Sequence, residues 1–248
     1  MTATSDRRSK DDAALARMTL VEHLTELRSR LVKSVVAVVV FAVIVFIFYD
    51  RVLQVLITPY KDATGQDTLT VFSPLEGISA RLKVAGYGGL FLASPVVLWQ
   101  LWRFVTPGLH PREKRYAIPF LLSSLLLFLM GAVVAVLTFP KALQFLISIS
   151  GNHVQPLFGP ERYVTFLLKV ILAFGVAFEF PILLMFLQLA NIVSSRRLLR
   201  SWRGAVVFIF AFAAVITPSQ DPWSMLAMAL PMTLFFFVSV GIGRLLKR

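Results

Sequence analysis

The apolar residues of this chain come in long unbroken blocks, a distribution that few folds other than a bundle of membrane-crossing helices can accommodate. Of its 248 residues 57% are hydrophobic and only 15% are charged, and the blocks lack the short alternation that marks a soluble core. In hydrocarbon every backbone polar group must be satisfied within the segment, so blocks of about 20 apolar residues read as helices. The candidate spans are Leu31 to Tyr49, Leu82 to Phe104, Ile118 to Phe139, Val164 to Leu189, Ala205 to Ile216 and Met225 to Ile242. The expected fold is therefore an all-α integral membrane protein with six transmembrane helices, the last two short.

The net charge of +12 would suggest nucleic acid in a soluble protein, but the basic residues alternate from loop to loop. Arg7, Arg8, Lys10, Arg17, Arg28 and Arg30 precede the first span, Arg103, Arg112, Lys114 and Arg115 follow the second, and Arg196, Arg197, Arg200 and Arg203 follow the fourth. The intervening loops carry chiefly Arg51, Lys61, Lys141 and Arg162. The positive-inside rule then puts both termini in the cytoplasm, in agreement with an even number of spans, and no nucleic-acid partner is expected. The first thirty residues are polar and charged and do not read as a cleavable signal peptide. No cysteine is present, which excludes disulfides, thiolate catalysis and zinc–thiolate sites.

Residues 1–18 read as a disordered cytoplasmic tail, and 19–246 as a single membrane domain followed by a two-residue tail. Thr19 and Glu22 form a capping-box pattern, and Leu20, Leu24, Leu27 and Leu31 a helical stripe, so 19–31 is expected to be an amphipathic helix on the cytoplasmic surface that turns into the first span. Outward loops over about 50–80 and 140–162 are long enough to cover or bind something. The fifth span, even with Trp202 to Gly204 added, rises only about 22 Å against a hydrocarbon core near 30 Å. Pro95, Pro181 and Pro231 are expected to interrupt three spans.

Glu179 is the residue that demands a reason. It lies inside the fourth span, where a carboxyl costs about 3 kcal/mol or more unless it faces protein or water. Its surroundings are either a wet concavity or a partner's polar group, or else a hydroxyl such as Thr165 or a serine of a neighbouring span. Chemistry of the enzymatic kind has no constellation to rest on: His23, His110 and His153 all lie outside the spans and far apart, and there is no HExxH, GxSxG, phosphate loop or dinucleotide fingerprint. On the basic cytoplasmic side, Glu22, Glu26 and Glu113 stand out. Glu26 reads as an i,i+4 partner of Arg30 and Glu113 as a solvated partner of Arg112 or Lys114, or else these carboxylates jointly bind a cationic ligand, since guanidinium pairs bidentately with carboxylate.

Four separated stretches carry a resemblance: HLTELRSRL (His23 to Leu31), SPVVLWQLWRFVTPGLHPREKR (Ser94 to Arg115), FGVAFEFP (Phe174 to Pro181) and TPSQDPWSMLAMALP (Thr217 to Pro231). Together they resemble the TatC family of the twin-arginine protein translocase, over essentially everything from Thr19 onward. The resemblance implies a non-enzymatic receptor in the bacterial cytoplasmic membrane. Such a receptor binds signal peptides bearing paired arginines and recruits the single-span subunits TatA and TatB to export folded proteins on the proton-motive force. It implies an oligomeric complex and no cofactor or metal. Matching positions place Glu26, Arg28, Phe104 and Glu113 at the signal-peptide site, with Arg28 either touching the peptide or orienting Glu26 or Glu113. Glu179 matches the buried polar residue of the fourth span, and Thr217, Pro218 and Asp221 the outward turn where partners dock. The turn is one residue longer than the TPPD form, Phe235 to Phe237 stand where some members have a glutamate, and Met225 replaces an expected glutamine. The competing readings are a proton-coupled small-solute transporter using Glu179, and a passive membrane scaffold.

Overall fold

The structure is a computed structural model and describes residues 20–105, 117–151, 157–190, 192–219 and 221–245. The N-terminal tail, Thr19, His110, Glu113, His153 and the C-terminal tail lie outside the described residues. Ten helices are described: α1 (Leu20–Ile47), α2 (Tyr49–Thr64), α3 (Glu76–Leu92), α4 (Ser94–Val105), α5 (Ala117–Ile149), α6 (Pro160–Ala177), α7 (Phe180–Leu189), α8 (Ser195–Arg200), α9 (Trp202–Ile216) and α10 (Pro222–Leu245). There is no strand among the described residues, as expected for a chain whose apolar blocks carry the helical rather than the strand period.

Among the described residues, four segments are long and apolar enough to cross a membrane: α1, α5, the combined α6 and α7, and α10. The pair α3 and α4 qualifies as one span broken by a 49° bend, and α9 is a shorter apolar helix. Several boundaries differ from those expected. Helix α1 runs unbroken from Leu20 to Ile47, so the Leu24, Leu27, Leu31 stripe continues the first span instead of lying flat and turning into it; no Pro or Gly interrupts it, and an uninterrupted backbone ladder is the cheaper choice. The stretch 50–80, expected as an outward loop, is mostly helical: α2 fills its first half and closes on Gly65 in the left-handed region, φ 73°, while α3 begins at Glu76, before Leu82.

Of the three interrupting prolines, Pro95 and Pro181 sit just beyond breaks at Ala93 and at Phe178–Glu179, where each ring removes an i→i−4 bond. Pro231 is carried inside α10 without a break. Helix α10 is also longer than expected, 24 residues or about 36 Å, because Asp221 and Pro222 start it ahead of Met225. Of the last two apolar helices only α9 is short, with 15 residues and a rise of about 22 Å.

The core is built around α6. Tyr163, Val164, Leu167, Val170, Phe174 and Phe178 are almost completely buried, against α5 and α3 on one side and α10 on another. Lipid tails are as apolar as leucine, so such helices associate through close packing where small residues let backbones approach. A Cβ on Gly89 of α3 would lie 2.6 Å from the Ala42 backbone of α1, and one on Gly131 of α5 2.6 Å from the Phe174 carbonyl of α6. Away from the start of α1, the Tyr163 hydroxyl donates to the Leu56 carbonyl of α2 at 2.8 Å and ties α2 to the core.

Candidate functional site

At the end of the bundle where α1 begins, the first two sequence stretches meet. The His23 ring stacks on Phe104 near the end of α4, with centroids 4.4 Å apart and planes 22° from parallel. His23 and Glu26 are three residues apart and so share a face of α1, which brings Glu26 to the side of the helix that meets α4. The Glu26 carboxylate accepts from Arg30 Nε at 2.8 Å and also from a terminal nitrogen of the same guanidinium. Both bonds use Oε1; Oε2 is buried and has no hydrogen-bond partner. The i,i+4 pair read from the sequence is thus present, and it consumes only half of the carboxylate. Arg28 is exposed, and the guanidinium bonded to Glu26 is that of Arg30, one turn along. The helical spacing decides this: residues two apart point to different sides. Phe104 is half-buried and follows Trp102, which stacks on Phe120 of α5 at 5.2 Å. That stack anchors the end of α4 from which the chain leaves toward Glu113.

Glu179 occupies the break between α6 and α7, as the residue flanking the Phe180 start of α7. Its Oε2 accepts a hydrogen bond from the hydroxyl of Ser124 on α5, while Oε1 is buried with no partner. The hydroxyl is therefore that of a serine on a neighbouring span; Thr165 has no hydrogen-bond partner of its own. The carboxyl lines a groove of about 510 Å³ whose other walls include Leu101, Val176, Leu183, Phe186, Phe208 and Phe212. One carboxyl oxygen without a protein partner, at the wall of an otherwise apolar groove, is a ready acceptor for a polar group entering from outside.

At the opposite end, the turn between α9 and α10 folds Thr217, Ser219 and Asp221 inward. Thr217 Oγ1 donates to the Ala213 carbonyl at 2.7 Å, and Asp221 Oδ1 accepts from the Ser224 amide at 2.7 Å, capping α10. Thr217 and Asp221 are each 1% exposed, whereas Pro218 is exposed. Of these three, Pro218 is the one that presents a side chain to the surroundings. Asp221 Oδ2 and Ser219 Oγ are buried without partners.

A further polar knot joins α7, α8 and α10. Gln188 of α7, 1% exposed, donates to the Ser239 carbonyl of α10 at 3.3 Å and accepts from Ser195 Oγ of α8 at 2.7 Å. Ser239 Oγ in turn donates to the Pro181 carbonyl at 3.2 Å. A lone glutamine in an apolar run was the available signal, since such a residue in a membrane bundle faces protein.

The fold and these sites define a multi-pass helical membrane protein with polar groups gathered at its ends and at one mid-depth groove. The model of the Sec-independent protein translocase protein (TatC) family matches residues 22–231. A TatC of Frankia casuarinae is 42% identical over 94% of this chain and 67% of its own length, and one of Aquifex aeolicus is 37% identical over 93% and 97%. A solved crystal structure of the twin-arginine translocase receptor TatC superposes with a TM-score of 0.75 at 36% identity, covering 92% of this chain and 100% of that one; a second, in DDM, gives 0.75 over 90% and 99%. The chain belongs to the TatC family, and is a component of a protein translocase rather than an enzyme. Nothing in these comparisons supports a small-solute transporter.

Proposed function

We propose that the chain is the receptor of a twin-arginine translocase in the bacterial cytoplasmic membrane, with six spans and both termini in the cytoplasm. Paired arginines of a signal peptide are held at the α1–α4 end by Glu26 and Glu113. The observation that carries this reading is the His23–Phe104 stack: it fastens the Glu26 face of α1 to the end of α4, nine residues before Glu113 in sequence, while Glu26 Oε2 stays buried and unpaired. A buried acceptor of that kind is costly alone and favourable once a guanidinium reaches it. Phe104 holds the two elements in register, and Arg28 lies at the exposed rim.

The apolar part of the peptide then lies along the groove beside Glu179. The short α9 and the exposed Pro218 form the region that recruits the single-span subunits TatA and TatB, with several copies of the chain in the working complex. An apolar helix of about 22 Å leaves a mismatch with the bilayer that neighbouring helices or local thinning must absorb. Transport draws on the proton-motive force.

The test is photo-cross-linking of an Arg-Arg signal peptide to the loop around Glu113 in native membranes, with E26Q, E113Q and the double variant. Each single change is expected to lower the cross-link yield about tenfold, the worth of one charge-assisted contact, and a Lys-Lys peptide to fail similarly. Undiminished cross-linking in the double variant would refute the carboxylate site.

A further inference from the structure

At the end of the molecule away from His23, an apolar groove of about 610 Å³ opens between α1, α2, α3, α5 and α6, with Val45, Val52, Gly88, Phe91, Val133 and Leu137 among its walls. Every residue lining it is apolar. At the α1–α2 junction, two guanidiniums each lie over aromatic rings. Arg81 of α3 lies 5.0 Å from the Phe46 ring centroid and 5.1 Å from that of Tyr49, and Arg51 of α2 lies 5.9 Å from that of Phe48. Arg81 is seven residues before Gly88, so it stands on the same face of α3 about two turns, or ~10 Å, beyond the groove wall. Val52 follows Arg51 directly. Neither arginine forms an ion pair among the described residues, although Asp50 is adjacent in sequence, and Arg81 Nε is buried with no hydrogen-bond partner.

We propose that this is a binding site for an anionic phospholipid of the adjoining leaflet, its acyl chain in the groove and its phosphate on Arg81 and Arg51. The charge pattern selects this occupant. Two guanidiniums without ion pairs among the described residues, carried by helices that wall a wholly apolar groove, complement one molecule with an anionic head and a hydrocarbon tail. A partner's transmembrane helix would bring its own sealed backbone and no fixed anion to that spot. Arginines at the membrane interface keep their stems in apolar surroundings and their heads at phosphate level, and guanidinium suits phosphate bidentately. Aromatic rings beneath the cations hold them at that depth. The lipid would act as a peg between the α2 cap and the α3 span, which otherwise meet across an open seam.

Native mass spectrometry of the detergent-purified chain, given phosphatidylglycerol or phosphatidylcholine in turn, tests the site. The parent is expected to retain phosphatidylglycerol in preference to phosphatidylcholine. The double variant R51Q/R81Q should lose that preference, with phosphatidylglycerol retention falling about fivefold or more, the scale of a lost charge-assisted contact. V133W, at a lipid-facing position 56% exposed, should fill the groove and lower retention of both lipids. Arg51 is exposed, so R51Q alone keeps the test readable should R81Q disturb packing, and it too should weaken phosphatidylglycerol retention. Equal retention of the two lipids by the parent, unchanged retention in all three variants, or displacement by V133W of a co-purifying single-span protein instead of lipid would each overturn the proposal.

Discussion

Glu179 carries one hydrogen bond where a buried carboxyl has capacity for several, and the donor is a single hydroxyl, Ser124. Ser124→Ala should therefore strand the carboxyl and lower stability by about 1–3 kcal/mol, read as a drop in the unfolding temperature of the detergent-solubilised protein. The double change S124A/E179L should recover part of the loss, because removing both partners leaves nothing unsatisfied. A double variant no more stable than S124A would show that the pair does not act as a unit. In export assays E179A is expected to fail more severely than E179Q, which keeps a polar group at the groove wall; equal, unimpaired export in both would reduce Glu179 to a structural residue. Gly243 offers a second residue-scale test. A Cβ there would lie 2.0 Å from Gln188 Oε1 and 2.5 Å from Ser195 Oγ, so Gly243→Ala should break the polar knot joining α7, α8 and α10. The expected cost is about 1–3 kcal/mol, measured by the same thermal unfolding. The need for a cationic partner at Glu26 and the depth problem at Glu179 were legible in the residues. That Glu26 would spend one oxygen on Arg30 and keep the other free was not, since pairing geometry depends on rotamers fixed by packing.

Among the elements, α9 and α10 show how a local signal sets a boundary. Asp221, Pro222 and Ser224 form a start signal three residues ahead of the apolar run, and the structure uses it: α10 begins there and gains a turn over the length read from hydropathy alone. Asp221→Ala should remove the cap and cost about 0.5–2 kcal/mol, with Asp221→Asn nearly neutral. Hydrogen exchange of the Ser224 and Met225 amides is the direct readout, and unaltered protection in D221A would argue against the cap. Because Asp221 is buried, impaired partner recruitment in D221A is expected to follow from fraying of the turn, and so to track that exchange. Where the boundaries were misread, the cause is the same throughout. Hydropathy marks where a helix enters lipid, not where its backbone ladder ends, so α3 starts before Leu82 and α2 is a helix in what reads as loop, while the helix expected over 19–31 is present and runs on into the first span with no turn between them.

For the molecule as a whole, the cationic ligand proposed at the α1–α4 end must approach a surface that is itself basic, so the carboxylates there act at short range against a repulsive background. Binding of an Arg-Arg peptide is accordingly expected to weaken little as salt rises from low to physiological strength, since screening removes repulsion along with attraction. A steep loss of binding with salt, measured by fluorescence anisotropy of a labelled peptide, would count against a shielded carboxylate site. Reporter fusions at each end should place both termini in the cytoplasm; an external location for either would overturn the proposed topology. The amino-acid sequence by itself determined that the chain is helical and membrane-embedded, which loops are basic, and that carboxyls at positions 26 and 179 need a reason, because these follow from the cost of polar groups in hydrocarbon and from charge along the chain. Only the tertiary structure decided that His23 locks α1 to α4, that Ser124 is the partner of Glu179, and that Gln188 ties three helices together. Each of these joins residues far apart in the chain, and which side chains meet is set by how close small residues let the helices pack.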